Sequence, residues 1–305
     1  MTAYDLDGRP LGRSFTLRGE KGSSPSIRAI AVDEDRRIWA ADAASGCVRV
    51  YSVTGSQVGS VASIGDPEAD RAGALGDPAG IAVDGVESET RILVSRRGNR
   101  RHALFLLSPG MASGGVAAPL RSLAPGGDPQ DTYRNLAGVA LTGDRVYACE
   151  VGTGTVQVFR SGEFLFRMAL PTAGRPKDRS RLEPRLVHPL PDGRVLVACS
   201  GESGGALLLL DGSGGVLAHL AEGGTDAGTV GFPTGLAVEE GAPHPGTRVA
   251  VLDQDGDRVQ VFTLDGRCYG GFLEPREAGT LQRQNSRKNG PGRARARLDS
   301  SPGSD

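Results

Sequence analysis

The 305 residues include only four histidines, His102, His188, His219 and His244, and that scarcity limits the available chemistry. A serine nucleophile needs a placed histidine as its base. Gly201–Gly205 reads GESGG and fits G-x-S-x-G, but a nucleophile elbow also requires a strand-to-helix turn around Ser203. The flanking runs are strand-like on both sides, so a plain hairpin turn is expected there. Asp253–Asp257 reads DQDGD and resembles the start of a calcium loop. Such a loop continues to a bidentate Glu at its twelfth position, and Leu264 stands at that position. A turn is expected there as well.

The remaining signals are electrostatic. Arg96, Arg97, Arg100, Arg101 and His102 fall within RRGNRRH, and Arg175, Lys177, Arg179 and Arg181 within GRPKDRSR. Arg283–Arg297 holds six Lys/Arg and no acid. A formal net charge of −1 names no partner, so any attraction must come from local clustering.

The elements that position these residues follow from a repeat. CVRVY, ALFLL, TVQVF, ALLLL and RVQVF place their strong apolar residues at Tyr51, Leu106, Phe159, Leu209 and Phe262, so the steps are 55, 53, 50 and 53. Each period contains four short apolar runs bounded by Gly, Asp, Asn or Pro, which read as strands. The runs are too short for helices and lack a helical stripe. Val, Ile, Phe and Tyr suit a pleated, half-buried surface. Asp192-Gly193 and Asp265-Gly266 are expected to supply two-residue hairpin turns. Four antiparallel strands make one twisted sheet, and stacking such sheets radially buries both faces of each. The chain is therefore expected to be all-β, with five complete four-stranded blades at residues 24–63, 78–124, 134–171, 184–222 and 232–274.

A sixth copy sits at the start. AYDLDGRPLGRSFTL aligns with VFTLDGRCYGGFLEP as the third and fourth strands of a blade whose first two strands are missing. Three arrangements compete: a six-blade ring with an incomplete blade, a five-blade ring carrying an outer hairpin, and a true start upstream of Met1. The first is favoured. Residues 1–274 are thus assigned to the propeller, and the strandless 275–305 to a disordered basic tail.

Pro-x-Gly-Ile-Ala-Val-Asp, then an Arg-led strand closing near an acid, then Arg-Val-Gln-Val-Phe and Asp-Gly, resembles the NHL repeat. Blades one, three and five match best. The acid is Asp42, Glu150 and Asp253, but Arg96 and Cys199 replace it in blades two and four. The resemblance implies a six-bladed propeller, and some NHL domains bind RNA or protein on the face bearing the strand two-to-three turns. Sorted by that topology, Arg28, Arg96, Arg97, Arg100, Arg101, Arg134, Arg175, Lys177 and Arg185 gather on this face. Asp33, Glu34, Asp35, Glu87, Glu89, Asp144, Asp192, Glu239 and Glu240 go to the opposite one. A basic face for an acidic protein or RNA is expected, with Tyr133 as the nearby aromatic.

The competing expectation is an enzyme, a lyase or a lactonase-like hydrolase, working in the central channel. His188 replaces an Ala on the innermost strand of blade four, but no second histidine aligns with it and metal ligands come in clusters. The ligand pattern of gluconolactonase-like propellers is not found. No metal, cofactor or catalytic residue is assigned. Cys47, Cys149, Cys199 and Cys268 form no CxxC pair, the start carries no apolar leader, and no run suits a membrane span. These features suggest free thiols and a cytoplasmic location, or secretion if the true start lies upstream.

Overall fold

The computed structural model describes residues 2–17, 24–61, 63–64, 77–85, 90–97, 103–108, 116–128, 132–173, 180–202, 204–239, 241 and 246–272. Two strands open the chain, β1 (Thr2–Tyr4) and β2 (Pro10–Ser14). Blade one is β3 (Ile27–Val32), β4 (Ile38–Asp42), β5 (Cys47–Tyr51) and β6 (Gln57–Val61). A short β7 (Ser63–Ile64) then pairs in parallel with the outer strand of blade two. That blade is β8 (Asp77–Asp84), β9 (Arg91–Arg97), β10 (Ala103–Ser108) and β11 (Val116–Ser122). Blade three is β12 (Leu136–Thr142), β13 (Arg145–Glu150), β14 (Thr155–Arg160) and β15 (Glu163–Ala169). The next link carries a small ladder, β16 (Thr172–Ala173) with β17 (Ser180–Arg181). Blade four is β18 (Glu183–Pro189), β19 (Val195–Ser200), β20 (Ala206–Leu210) and β21 (Val216–Ala221). Blade five is β22 (Pro233–Val238), β23 (Arg248–Asp253), β24 (Arg258–Thr263) and β25 (Cys268–Phe272). Each blade is antiparallel in chain order, so the fold is a five-blade all-β propeller. Every repeated run lies in a third strand, as the period predicts. The basic tail expected over 275–305 lies outside the described residues.

Alternation along the strands feeds separate cores. Val156 and Val158 of β14 pack with blade four, while Phe159 packs with Leu93 and Leu104 of blade two. Four hydrophobic clusters each lie between two consecutive blades, from one–two through four–five. Among the described residues, no cluster joins blade five back to blade one.

The turns at Asp192-Gly193 and Asp265-Gly266 differ from the two-residue hairpins expected, whereas blade three has two-residue turns at Gly143-Asp144 and Ser161-Gly162. Thr263 N–H donates to Arg267 C=O at 2.9 Å and Gly266 N–H to Thr263 C=O at 2.9 Å. Three residues therefore lie in the loop: a tight turn followed by a left-handed Gly266 at φ +83°. Asp211–Gly215, Ser52–Ser56 and Asp5–Arg9 close the same way. In two of these turns a first-residue aspartate also caps the loop. Asp5 Oδ1 accepts from Asp7 N–H at 3.0 Å and Arg9 N–H at 2.7 Å. Asp211 Oδ1 does the same for Ser213 and Gly215 at 2.8 and 2.9 Å.

These turn glycines also mark how blades stack. A methyl group added at Gly214 would meet Met168 of the preceding blade at 2.9 Å, and one at Gly266 would meet Leu220 at 3.6 Å. Gly8 stands in the same relation to Phe272 of blade five, at 2.5 Å. Gly55 of blade one stands in it to Phe15, also at 2.5 Å. The N-terminal hairpin thus touches both blade five and blade one. Tyr4 lies 5.5 Å from the Phe272 ring, and Asp7 is 3.6 Å from Arg248.

Candidate functional site

One end of the propeller carries the strand two-to-three turns and the links between blades. The innermost strands slip register at their start on this side. Ile27 pairs with Asp42 and Ala29 with Ala41, leaving Arg28 as the extra residue. Ala79, Arg185 and Thr234 are the extra residues of β8, β18 and β22, and β12 shifts between Leu136 and Val139. A bulge re-aims its side chain, and here it does so around the mouth of the channel. Periodicity gave no sign of it, because register slips depend on pairing rather than on residue type.

The acids closing the second strands hold this mouth together. Asp42 Oδ1 accepts from Ser26 N–H at 2.9 Å, and its Oδ2 from Arg49 Nε at 3.0 Å. The Arg49 and Asp42 side chains are both fully buried. Burial alone would raise the Asp42 carboxyl, but hydrogen bonds from Ser45, Arg49 and Ser26 outweigh it and hold it below the usual carboxylate range. Glu150 accepts from Arg134 N–H at 3.1 Å and from Gln157 Nε2 at 2.6 Å. Asp253 accepts from Phe232 N–H at 2.9 Å and Gly231 N–H at 3.1 Å. Each acid ties an incoming link to its own blade. In blade two that position belongs to Arg96, which brings a cation instead.

The predicted cations divide into two groups. Arg28 and Arg134 are exposed, and Arg96 and Arg97 are half-buried. None of these four forms an ion pair among the described residues. The Nε atoms of Arg96 and Arg97 are buried without a hydrogen-bond partner. The Arg96 guanidinium lies 5.4 Å from the Phe105 ring centre. Arg185 is different: it stacks 4.6 Å from Phe232, donates to Ser200 Oγ at 2.8 Å and pairs with Glu183 at 2.9 Å. Arg100, Arg101, His102, Arg175, Lys177 and Ser203 lie outside the described residues. Tyr133 is 4 % exposed, and burial, with a smaller push from Glu150, drives its phenol far above the usual range. Its ring is therefore closed to stacking with a ligand.

His188 sits on β18 opposite Leu196, half-buried. No three His, Cys, Asp or Glu side chains gather into a metal-holding group among the described residues. Gln254–Asp257 is a turn closed by Asp257 N–H to Gln254 C=O at 3.2 Å. Gly204 N–H to Gly201 C=O closes the GESGG segment at 3.2 Å.

Two features correct the simple polarity expected from loop charges. The opposite face is partly compensated: among the described residues six of its acids meet an arginine, Glu34 and Asp211 form no ion pair, and Glu87, Glu89 and Glu240 lie outside the described residues. Asp33–Arg37 is 2.7 Å, Asp84–Arg91 2.5 Å and Asp144–Arg160 2.8 Å. Asp192–Arg194 is 2.6 Å, Glu239–Arg248 2.7 Å and Asp265–Arg267 3.2 Å. The arginines that open the second strands emerge on that face, a contribution hidden when acids alone are counted. The mouth face is itself mixed in charge. Glu202, Glu222, Asp226, Asp255 and Asp257 are exposed on blades four and five, while Asp128 is exposed on the link before blade three and Asp77 lies opposite Arg97 in blade two.

No protein-family model matches the chain, and no curated protein does. Solved propellers do. A streptogramin B lyase structure is similar at 14% identity and TM-score 0.56, covering 90% of this chain and 76% of that one. A virginiamycin B lyase from Staphylococcus aureus is similar at 11% and 0.53, covering 90% and 77%. A chain of a nidogen/laminin complex is similar at 13% and 0.53, covering 83% and 82%. Lyases and a nidogen/laminin complex on one architecture establish the fold alone.

Proposed function

We propose that this propeller is an NHL-type binding module whose mouth face, over blades one to three, holds an acidic segment of a partner protein. The observation that carries the reading is the pairing contrast. Among the described residues, six of the opposite face's arginines meet a carboxylate (Arg36 and Arg145 there do not), whereas Arg28, Arg96, Arg97 and Arg134 meet none. Cations without a counter-ion, two of them half-buried, favour an incoming carboxylate. An acidic peptide fits better than RNA. The exposed acids of blades four and five would repel a long polyanion crossing the mouth, and Tyr133 is closed to base stacking.

The hairpin β1–β2 is, in the same reading, the outer half of an incomplete sixth blade. Its support is the repeated turn-glycine contact of Gly8 on Phe272 and Gly55 on Phe15.

The test is fluorescence anisotropy with a labelled oligo-glutamate and a labelled single-stranded RNA, on protein with and without residues 275–305. Reversing Arg97 and Arg134 to Glu is expected to weaken oligo-glutamate binding about tenfold or more. Reversing Arg160 and Arg267, on the other face, is expected to leave it unchanged. Tighter binding of RNA than of oligo-glutamate would favour the nucleic-acid reading. Absence of both at low salt would turn attention to His188 and an enzyme in the channel, the function of the two lyases that share the fold.

A further inference from the structure

Within the propeller, a residue of an innermost strand that points at the preceding blade is covered by it. Ile81, Val139 and Val187 hold this position and are 6, 8 and 7% exposed. Ile30 holds it on β3 and is 50% exposed, and Val32, two residues on, is 58% exposed. Blade five shows the matching defect on its other face. Ala41, Ser95, Cys149 and Ala198 share one position on the second strands and are each 0% exposed, whereas Leu252 at that position is 45% exposed. Two apolar walls on the strands nearest the axis therefore face a slot. Scattered exposed apolar residues are ordinary, but Ile30 and Leu252 are exposed and opposed where the matching residues of the other blades are buried or, at Leu236, half-buried. The third side is β1, which pairs only with β2 among the described residues. Its other edge presents free backbone donors and acceptors.

We infer that this slot, between β22–β23 and β3–β4, is a docking site for an apolar β-hairpin supplied by a partner chain. The inference rests on the reading of β1–β2 as the outer half of a blade. The occupant is extended because the β1 edge offers main-chain hydrogen bonds, which strand addition satisfies and a helix does not. It has two strands because every other blade places two strands inside its third. A folded second copy cannot supply them, since its own inner strands are enclosed among its blades. The walls set the side chains. Branched residues face Leu252, as Val139 and Leu141 face blade two, and small residues face Ile30 and Val32, as Gly138 and Ala140 face blade four. The hairpin sequence of Arg134–Glu150, RNLAGVALTGDRVYACE, has this pattern.

The test adds that peptide, with Cys149→Ser, to the full chain and follows thermal unfolding and hydrogen exchange. Saturating peptide is expected to raise Tm by roughly 5 °C and to protect the amides of Thr2–Tyr4. A peptide carrying Val139→Asp and Leu141→Asp is expected to do neither. Ile30→Asp with Leu252→Asp in the protein is expected to abolish the effect while leaving its own Tm near that of the parent, because both positions are exposed. The same hairpin joined ahead of Met1 through a Gly-Ser linker is expected to give a monomer with raised Tm, so poor peptide solubility does not decide the result. No rise in either format overturns the docking site. If Gly8→Ala still lowers Tm in that case, the half-blade reading survives without it. An unchanged Tm for Gly8→Ala removes the half-blade reading itself.

Discussion

Asp42 shows how one carboxylate serves two neighbours. It fixes the Ser26 N–H of the incoming link and neutralises Arg49 inside blade one. Asp42→Ala leaves a buried guanidinium without its partner, and the expected cost is about 3–5 kcal/mol by urea denaturation. The folded Asp42 carboxyl is depressed, so its stabilisation is complete above the unfolded value near 4. That stabilisation is lost as pH falls through the lower folded value. Stability is therefore expected to drop below about pH 4, with a shallower drop in Asp42→Asn. The thiols give a second residue-scale expectation. Burial pushes Cys149 and Cys199 well above the usual thiol range, and Cys47 is buried too. Native protein should release one thiol rapidly to a disulfide reagent, from Cys268, and the other three only on unfolding. Three fast thiols would contradict the packing. The recurring acid of Asp42, Glu150 and Asp253 was legible as a pattern. Its task was not, because its partners are backbone N–H groups that sequence type does not mark.

The blade repeats as a set of turns as much as a set of strands. Gly55, Gly214 and Gly266 occupy the left-handed corner of the three-to-four turn and Gly8 that of the β1–β2 turn, meeting Phe15, Met168, Leu220 and Phe272 respectively. Gly8→Ala adds both a strained φ of +78° and a collision with Phe272. It is expected to destabilise by about 1–3 kcal/mol, and Gly55→Ala by a similar amount through Phe15. Chemical denaturation checks both, and neutrality of Gly8→Ala would mean that the hairpin is not packed on blade five. The third strands and the outer hairpin were readable because VQVF and DG recur in register. The bulges at Arg28 and Arg185, the β16–β17 ladder and the strand-like β7 were not. Each depends on which backbone lies alongside, and side-chain periodicity carries no record of that.

At the scale of the whole molecule, charge is mixed on both faces, with more exposed acids on the mouth side of blades four and five than of blades one to three among the described residues. Arg28, Arg96, Arg97 and Arg134 lie toward one end because strand order dictates where a turn emerges, and at the other end Arg37, Arg91, Arg160, Arg194, Arg248 and Arg267 each pair with an acid. Among the described residues Arg28, Arg96, Arg97 and Arg134 form no ion pair, and their attraction should fade as salt shortens the screening length to about 3 Å at 1 M. The most direct measurement is hydrogen exchange of the full chain with and without oligo-glutamate at low salt. New protection is expected at the start of β3, the end of β9 and around Arg134, with none at the turns holding Asp192 and Asp265. Protection confined to those turns, or absent altogether while the peptide is shown to bind, would contradict the assignment of the mouth face as the binding surface.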